Sequence, residues 1–535
     1  MKHFSLCKSL LCLVAAGAVS VPVYAEWGTQ TKAAVIYEHE GEILQFKTAR
    51  TSDGYTYMSW LEWNLNWQPA SSLMLCMQLL DPDGNPLWGD EGLVIDDYPS
   101  KSYTTQNSLL VDSQGNAYVS WADSRSQIDK VLTDDDQRYD FFEPVIYKVD
   151  KEGNMLWGED GKTYDSSTYS LCPILYQAGG NIYAMMYGIG AGAYIPSYFT
   201  RIDAETGDLM GNMKSMGGQF IASVGTDIIN VWASGSQTVA MRYNEDLEAV
   251  WSSPVTVAPY VYEGHSNFPF NLVSDYQGGV IVSFDRNIGS SKWMPIVNYI
   301  TADGESTFGN AVDVTTLQNY NNTYNFIVYN PQTECILNMW GVSNPHLGLD
   351  GQLMDVFGER LWGGPGLEFT TKVTGNDYTF APISATFTKD NCYWVLYVDE
   401  TNWMQDTMFL ICIDEDGKVV AGLNEDGTNS MRVGPYYQGI VSPSVYWDNG
   451  NMYLIYYNYV SDIYRVRTQM IPDLYEPGEV PEAPIPDTPG KISSIGFDES
   501  SATYYSIDGI RLNAPQKGLN IERDALGNTR KLIIK

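Results

Sequence analysis

A short hairpin motif recurs along the chain, and this repetition limits the possible folds more than any other feature. The segments LDPDGNPLWG, VDKEGNMLWG and MDVFGERLWG each place an Asp-x-x-Gly turn between apolar stretches and end in Trp-Gly. Asp and Gly favour tight turns, and alternating apolar residues on either side are typical of paired β-strands. The clear copies span Leu80–Gly89, Val149–Gly158 and Met354–Gly363, and weaker copies span 203–210, 244–251, 301–308 and 414–421.

A second motif, such as SDGYTYMSW or SQGNAYVSW, consists of a turn followed by a strand that ends in a large aromatic residue. It occurs eight times, at intervals of about fifty to sixty residues. Together the two motifs predict units of four antiparallel strands, the pattern of a β-propeller, in which packing of blade on blade supplies the core. A string of β-sandwich domains would instead need linkers between its units. We therefore predict an all-β chain with a propeller of about eight four-stranded blades, or seven if the short fourth unit is irregular.

The two ends of the repeat region complement each other. The eighth unit has three predicted strands before a proline-rich stretch begins, and an extra strand, Lys32–Glu38, precedes the first unit. Pairing a strand from each end of the chain within one blade closes the ring and removes two exposed sheet edges. We predict that Lys32–Glu38 pairs with Ile463–Ile471 as the outer strand of the last blade.

Residues 1–25 have the composition of a signal peptide. Lys2 and Lys8 accompany a short apolar run, and the small residues Val23 and Ala25 precede Glu26. The run is too short to cross a bilayer, and no later stretch reaches the ~20 apolar residues that a spanning helix needs. We predict cleavage after Ala25, export, and no transmembrane segment.

The composition changes twice after the predicted propeller, which we assign to residues 26–471. Residues 472–490 contain six prolines and are predicted to form an extended linker. Residues 491–535 contain several short strand-like segments, YYSIDGIRL and APQKGLNI among them, and predict a small C-terminal β-module. This module resembles the C-terminal sorting domain of type IX secretion substrates. The matching residues are Tyr505, Gly509, Pro515, Gly518 and the terminal segment Arg530–Lys535.

The resemblance implies a partner and a location. Such sorting domains are recognised by secretion machinery at the outer membrane, and many are removed when the cargo is attached to surface lipopolysaccharide. We therefore expect an exported protein at the outer-membrane surface or outside the cell. A small β-module that only caps the propeller is the alternative, and the resemblance implies nothing about the activity of the cargo.

Charge and cysteine content argue against several other partners. The formal net charge is −34, and such a surface repels nucleic acid and anionic lipid. Five cysteines follow the signal peptide, none in a C-x-x-C pair, and only three histidines accompany them. This inventory favours buried thiols over a disulfide framework or a zinc site. We therefore predict no metal and no cofactor.

The variable loops are the best candidates for function, because loops on a rigid frame commonly carry binding residues. Those opposite the hairpins are rich in Tyr and Trp beside Asp, Asn and Arg. Such side chains suit the apolar faces and hydroxyl rims of sugars, and equally suit peptides. We predict an extracellular glycan or protein ligand on this face, with simple packing of loops on one another as the alternative. The candidate ligand-binding residues are Trp63, Trp67, Asp123, Arg125, Asp285, Arg286, Trp293, Glu400 and Trp403.

A carbohydrate-active enzyme, either a glycoside hydrolase or a lyase, is the alternative to a binding protein. Carboxylates for glycoside cleavage could come from loop acids. Several loop acids are expected by chance in a chain this acidic, and no Ser-His-Asp set or glycine-rich phosphate loop stands out. The catalytic residues therefore stay unassigned, as does the choice between binding and catalysis. The acids in question are Glu62, Asp123, Asp285 and Glu400.

Overall fold

The predicted propeller is confirmed, and it has eight blades. The computed structural model divides the chain into two compact units, Met1–Pro484 and Ile485–Lys535. The residues that the structure describes are 26–64, 72–100, 107–127, 143–164, 172–190, 193–215, 220–261, 270–289, 292–318, 320–372, 379–401, 406–422, 430–437, 440–460, 463–481, 503–506, 511–512, 518–523 and 529–534.

Each blade is an antiparallel meander whose strands follow one another in sequence. The first strands of neighbouring blades contact each other, so they surround the central axis. The chain begins with β1 (Ala34–Glu40). Blade 1 contains β2 (Ile43–Arg50), β3 (Thr56–Asn64), β4 (Ser72–Leu80) and β5 (Leu93–Ser100); blade 2 contains β6 (Ser108–Val111), β7 (Ala117–Asp123), β8 (Glu143–Val149) and β9 (Lys162–Thr163), with a single-turn helix at Arg125–Gln127; blade 3 contains β10 (Ile174–Ala178), β11 (Asn181–Gly190), β12 (Ala193–Ile202) and β13 (Leu209–Ser215); blade 4 contains β14 (Phe220–Val224), β15 (Asp227–Ser234), β16 (Gln237–Tyr243) and β17 (Val255–Ala258).

The second half of the ring repeats this arrangement, with one variation in blade 7. There the outer strand is divided, since two separate segments, β29 and β30, both pair with β28. Blade 5 contains β18 (Asn271–Ser274), β19 (Val280–Gly289), β20 (Lys292–Ile300) and β21 (Val312–Asp313); blade 6 contains β22 (Asn321–Asn330), β23 (Cys335–Asn344), β24 (Leu347–Asp355) and β25 (Leu367–Lys372); blade 7 contains β26 (Phe380–Phe387), β27 (Tyr393–Asp399), β28 (Asp406–Ile413), β29 (Val419–Ala421) and β30 (Met431–Tyr437); blade 8 contains β31 (Val441–Asp448), β32 (Asn451–Val460) and β33 (Ile463–Ile471).

The ring closes through its N-terminal strand, as predicted. Strand β1 pairs antiparallel with β33 and supplies the missing outer strand of blade 8, with Glu40 opposite Ile463. The hydroxyl of Tyr37 on β1 also donates to Oε2 of Glu62 in blade 1, at 2.7 Å. The closing strand therefore joins the last blade to the first through both backbone pairing and a buried side-chain hydrogen bond.

The recurring hairpin motif joins neighbouring blades at three places among the described residues. In blade 1, Nε1 of Trp88 donates to the backbone carbonyl of Lys151, in the corresponding turn of blade 2, at 3.0 Å. The turn glycine of that hairpin, Gly153, has a φ of 84°, and a Cβ added there would lie 3.4 Å from the Trp88 indole. The motif thus pairs a glycine turn with a tryptophan that covers the next such turn. Equivalent hydrogen bonds join Trp251 to Ala302, at 2.8 Å, and Trp362 to Glu415, at 2.7 Å.

The chain stays in contact with the propeller beyond Ile471. The amide of Leu474 donates to the carbonyl of Gly450 in blade 8 at 2.7 Å, and the amide of Lys389 in blade 7 donates to the carbonyl of Glu476 at 2.9 Å. The first residues of the predicted linker therefore lie against the hairpin turns of two blades.

The second unit is a small β-sheet, in agreement with the predicted C-terminal module. Its strands pair in the order β35-β34-β36-β37. No helix in the described part of the chain is long and apolar enough to cross a membrane. The strands are β34 (Thr503–Ser506), β35 (Arg511–Leu512), β36 (Gly518–Arg523) and β37 (Thr529–Ile534).

Candidate functional site

The antiparallel topology places the connections of every blade on two opposite faces. One face carries the turns that join first to second strands and the turns that join third to fourth strands, and the hairpin motif lies in the latter. The other face carries the turns between second and third strands and the connections between blades, and we call it the loop face. Of the predicted ligand-binding residues, Trp67 and Trp403 lie outside the described residues, and the others lie in the half of the propeller nearest the loop face.

Asp123 and Arg125 lie together at the end of β7, and both are engaged within the protein. The Arg125 guanidinium donates to Oδ1 and Oδ2 of Asp123, at 3.1 and 2.7 Å, and to Oδ2 of Asp96 on β5, at 2.7 Å. It also lies 4.6 Å from the ring centroid of Tyr98. Burial and the neighbouring Asp123 carboxylate raise the pKa of Asp96 to about 7. This cluster joins blade 1 to blade 2, and a role in ligand binding stays a prediction.

Arg286 makes a similar contact in blade 5. Its guanidinium donates to both oxygens of Asp313 on the outer strand, at 3.0 and 2.9 Å, and lies 4.8 Å from the ring centroid of Tyr260. Such bidentate pairs have a fixed geometry. Both predicted arginines thus hold an aspartate of an outer strand and stack on a tyrosine, which gives each of them a structural role.

The described tryptophans of the predicted site, Trp63 and Trp293, are half-buried. Nε1 of Trp63 donates to Oε2 of Glu42 at 3.3 Å, and its ring packs against the core between blades 1 and 2. Trp293 lies at the start of β20, where its carbonyl accepts a hydrogen bond of 3.0 Å from Nδ2 of Asn322 in blade 6. Part of each side chain stays accessible at the loop face, so stacking on a ligand stays a prediction.

Asp285 is only 1% exposed, and it lies beside β22 of blade 6. Burial raises its pKa well above the ordinary value of an aspartate, and the backbone N–H of Asn325 on β22 opposes this shift. Neither carboxyl oxygen makes a hydrogen bond of ordinary geometry with a described residue. Blade 5 also holds Asn325 through Asn271, whose Nδ2 donates to its carbonyl at 2.8 Å, and through a hydrogen bond from Asn325 to the Ser283 hydroxyl. Asp285 therefore lies against the backbone of β22, next to the loop face.

Strand β22 is irregular where it passes Asp285. Its pairing with β23 shifts register between Thr323 and Phe326, so the two intervening residues form a bulge. The first of them, Tyr324, has a φ of 56°, which is uncommon for residues other than glycine. Bulges re-aim side chains and are frequent beside active sites, where surrounding contacts maintain backbone strain. The first strands of blades 1 and 8 have the same bulge, with Gln45 and Ser442 at positive φ, so the contacts of Tyr324 decide whether it is a candidate functional residue.

The Tyr324 side chain lies beside the carboxyl group of Glu400, a residue of the predicted site, and lowers its pKa. Glu400 directly follows β27, so this contact bridges blades 6 and 7 at the loop face. Burial raises the pKa of Glu400, the neighbouring Tyr324 hydroxyl opposes this shift, and the charges of Asp406 and Asp399 raise the pKa further. Burial likewise raises the pKa of Asp406 to about 6. A phenol and two carboxyl groups of raised pKa are suited to proton transfer near neutral pH.

Sequence reasoning identified Glu400 but not the residues that give it a chemical context. Tyr324 was one of many loop tyrosines, and the polar run NNTYN at Asn321–Asn325 is the one local signal of an irregular strand. Asp406 begins the strand after Glu400, and only the fold of blade 7 brings its charge close to Glu400.

A group of side chains that can hold a metal lies in blade 6. Ligand atoms of His346, Asp350 and Glu368 lie within 4.8 Å of one another, and no other such group of three occurs among the described residues. Burial, and secondarily the charge of Glu368, raises the pKa of Asp350 to about 7. The sequence prediction of no metal was based on cysteine and histidine counts, which do not reveal carboxylates on neighbouring strands.

We expect the substitution Asp285→Asn to stabilise the protein at neutral pH. Burial keeps Asp285 protonated in the folded state, whereas an aspartate in the unfolded chain ionises with a pKa of about 4. Above about pH 4 the free energy of unfolding of the wild type should therefore fall relative to the variant, by roughly 1.4 kcal/mol per pH unit, until the folded group ionises. Urea unfolding of both proteins between about pH 4 and pH 8 measures this difference. Parallel curves would show that Asp285 is ionised in the folded protein.

No family model and no curated protein matches the sequence. Several solved structures are similar at low identity. The polysaccharide lyase Uly1 gives a TM-score of 0.39 at 11% identity, over 85% of this chain and 94% of that chain. The Trypanosoma rangeli sialidase in complex with sialic acid gives 0.33 at 10%, over 84% and 59%, and the GH93 α-L-arabinofuranosidase of Fusarium graminearum gives 0.33 at 10%, over 69% and 95%. Likenesses at these identities concern the fold alone.

Proposed function

We propose that this propeller is a carbohydrate-active enzyme whose reacting groups lie at the loop face between blades 6 and 7. The observation that supports this most directly is the proximity of the Tyr324 side chain to Glu400, a buried carboxyl group whose pKa is raised. A bulge at positive φ also occurs at Gln45 in β2 and at Ser442 in β31, so the neighbouring Glu400 is what distinguishes Tyr324. Perturbed carboxyl groups cluster at functional sites.

The three side chains have complementary roles in this proposal. Glu400 is a stronger base than an ordinary glutamate, and it accepts the phenolic proton of Tyr324 so that the phenol oxygen can attack or deprotonate the sugar. Asp406, with a pKa of about 6, keeps its proton in mildly acidic solution and donates it to the leaving oxygen. Acid and base are thus separate groups on neighbouring strands.

A binding protein without catalysis is the second candidate. The observation that favours it is the partial exposure of Trp63 and Trp293 at the loop face, because a half-exposed aromatic ring can stack on a sugar or a peptide side chain. The carbonyl of Trp293 is hydrogen-bonded to Asn322, two residues before Tyr324. This ring and the Tyr324–Glu400 pair therefore belong to one region of the loop face.

The experiment that separates the two candidates is a glycan array with the purified mature protein, followed by product analysis of every bound glycan. Binding together with new reducing ends or unsaturated products supports the enzyme. Binding without products supports the binding protein. The absence of any glycan binding or product would contradict both carbohydrate functions and leave a protein ligand.

The proposal includes export, supported by the resemblance of residues 491–535 to sorting domains and by the separation of the C-terminal unit from the propeller. We expect deletion of these residues to leave the melting temperature of the propeller nearly unchanged, because the segment that contacts blades 7 and 8 is retained. The truncated protein should accumulate in the periplasm. Cell fractionation and thermal melting measure the two outcomes. Delivery of the truncated protein to the cell surface, or its failure to fold, would contradict the sorting role.

A further inference from the structure

Blade 6 brings three side chains of different sequence segments together, and they are independent of the Tyr324–Glu400 pair. His346 lies in the turn before β24, Asp350 lies on β24, and Glu368 lies directly opposite Asp350 on the outer strand β25. Opposed residues of an antiparallel pair project to the same face of the sheet, as do alternate residues of one strand. The imidazole and both carboxyl groups therefore meet on one side of the blade, within 4.8 Å of one another.

Gly348 makes this approach possible. It lies between His346 and Asp350 on the same face of the strand, and a Cβ added there would lie 3.1 Å from His346 Nε2 and 3.4 Å from Asp350 Oδ1. The missing side chain leaves the space in which the imidazole turns towards the carboxyl group. The ring of Tyr320 packs edge-on against the imidazole, with 5.5 Å between centroids, and holds its orientation.

Two buried polar atoms of the cluster, Nε2 of His346 and Oδ1 of Asp350, lack hydrogen-bond partners among the described residues. Asp350 is 4% exposed, and its Oδ1 has no partner among the described residues. Nε2 of His346 is buried as well and lies 3.1 Å from Oε2 of Glu368, but without hydrogen-bond geometry. A protonated His346 paired with Glu368 would still leave Oδ1 of Asp350 unsatisfied, and a buried unsatisfied acceptor is costly.

We propose that His346, Asp350 and Glu368 bind one zinc ion. Zn²⁺ accepts imidazole nitrogen and carboxylate oxygen at about 2.0–2.2 Å in a tetrahedral site, so three side chains leave one position for water. Calcium and magnesium prefer oxygen ligands alone, which a histidine does not supply. Closing the three side chains on one ion requires movements on the order of 1 Å.

The ion would act on the structure of the loop face. It would fasten the turn between β23 and β24, through His346, to the outer strand of the same blade, through Glu368. Stability of this turn is therefore the property that zinc changes, and the assignment does not depend on whether the protein cleaves a glycan.

The test uses the mature protein without an affinity tag, stripped of metal with a chelator and titrated with Zn²⁺ in a calorimeter. We expect one strongly bound ion per chain and a rise in melting temperature. Asp350→Asn and Glu368→Gln should each weaken binding by roughly tenfold or more and remove most of that rise. Glu368 is 47% exposed, so the Glu368→Gln variant should fold even if a change at Asp350 disturbs the core.

Two further variants test whether zinc binding depends on this cluster. His39→Gln removes a half-buried histidine from β1, far along the chain from blade 6, and should leave zinc binding unchanged. Gly348→Ala should weaken binding, because its Cβ fills the space between the ligands. The assignment is overturned if the wild type shows no saturable zinc binding, or if Asp350→Asn and Glu368→Gln bind zinc as the wild type does.

Discussion

Replacing Trp121 with alanine is expected to reduce the free energy of unfolding by about 3–5 kcal/mol. Trp121 is 0% exposed and packs in the core between blades 1 and 2. Its Nε1 donates to Oδ2 of Asp96 at 2.9 Å, so the substitution also removes a donor from a buried carboxyl group. Backbone pairing fixes the strands on both sides, which limits how far the blades can close the cavity. Urea unfolding and thermal melting measure the loss.

Trp88→Ala is the matched control for this prediction. Trp88 belongs to the recurring hairpin motif but is half-buried, and its hydrogen bond to the Lys151 carbonyl lies at the face of the propeller, where water can replace it. We expect a smaller loss, about 1–2 kcal/mol. Equal losses for the two variants would show that the motif tryptophans belong to the core of the propeller.

Replacing Glu400 with glutamine is expected to lower kcat of the proposed reaction by about 10²–10⁴-fold. The amide keeps the size of the side chain but cannot take the proton of Tyr324. Tyr324→Phe should lower kcat comparably, because it removes the hydroxyl and keeps the ring. Substrate affinity should change little in either variant, so steady-state kinetics and direct binding measurements together separate chemistry from binding.

Glu42→Gln is the control for the carboxylate change, because Glu42 is a half-buried glutamate on the loop face that accepts a hydrogen bond from Trp63. The Glu42→Gln variant should retain full activity.

Activity of the wild type should also fall as the pH rises through about 6, since Asp406 then loses the proton that it donates. Asp406→Asn should be slow and lack this alkaline decline. Full activity of Glu400→Gln, or an unchanged pH profile of Asp406→Asn, would contradict the assigned roles.

Two arginines of the predicted site show why the local sequence could not reveal which side chains they bind. Arg125 and Arg286 were predicted to contact a ligand because they follow aromatic strands beside aspartates. In the folded chain each also binds an outer-strand aspartate, Asp96 or Asp313, which lies 29 or 27 positions away. The choice of such partners depends on the packing of neighbouring blades for Asp96 and on strand register within blade 5 for Asp313, and loop composition carries no information about either.

The propeller architecture could be predicted from the sequence because its signals are local and repeated. Alternating apolar residues, Asp-Gly turns and a fixed period specify antiparallel four-stranded units, and such units are stable only when neighbours cover their faces. Closure by β1 follows from the same reasoning, since an incomplete last blade leaves exposed edges that an unused strand can pair. The pairing of Ala34–Glu40 with Ile463–Ile471 confirms it.

The sequence by itself therefore determined the propeller and its closure, because each depends on patterns that recur within one blade. Only the tertiary structure decided the candidate site. Asp285 of blade 5 lies beside the bulge of β22, which contains Tyr324, and the Tyr324 side chain lies beside Glu400 of blade 7. Three blades must be in place before these side chains meet, because they come from segments distant in sequence.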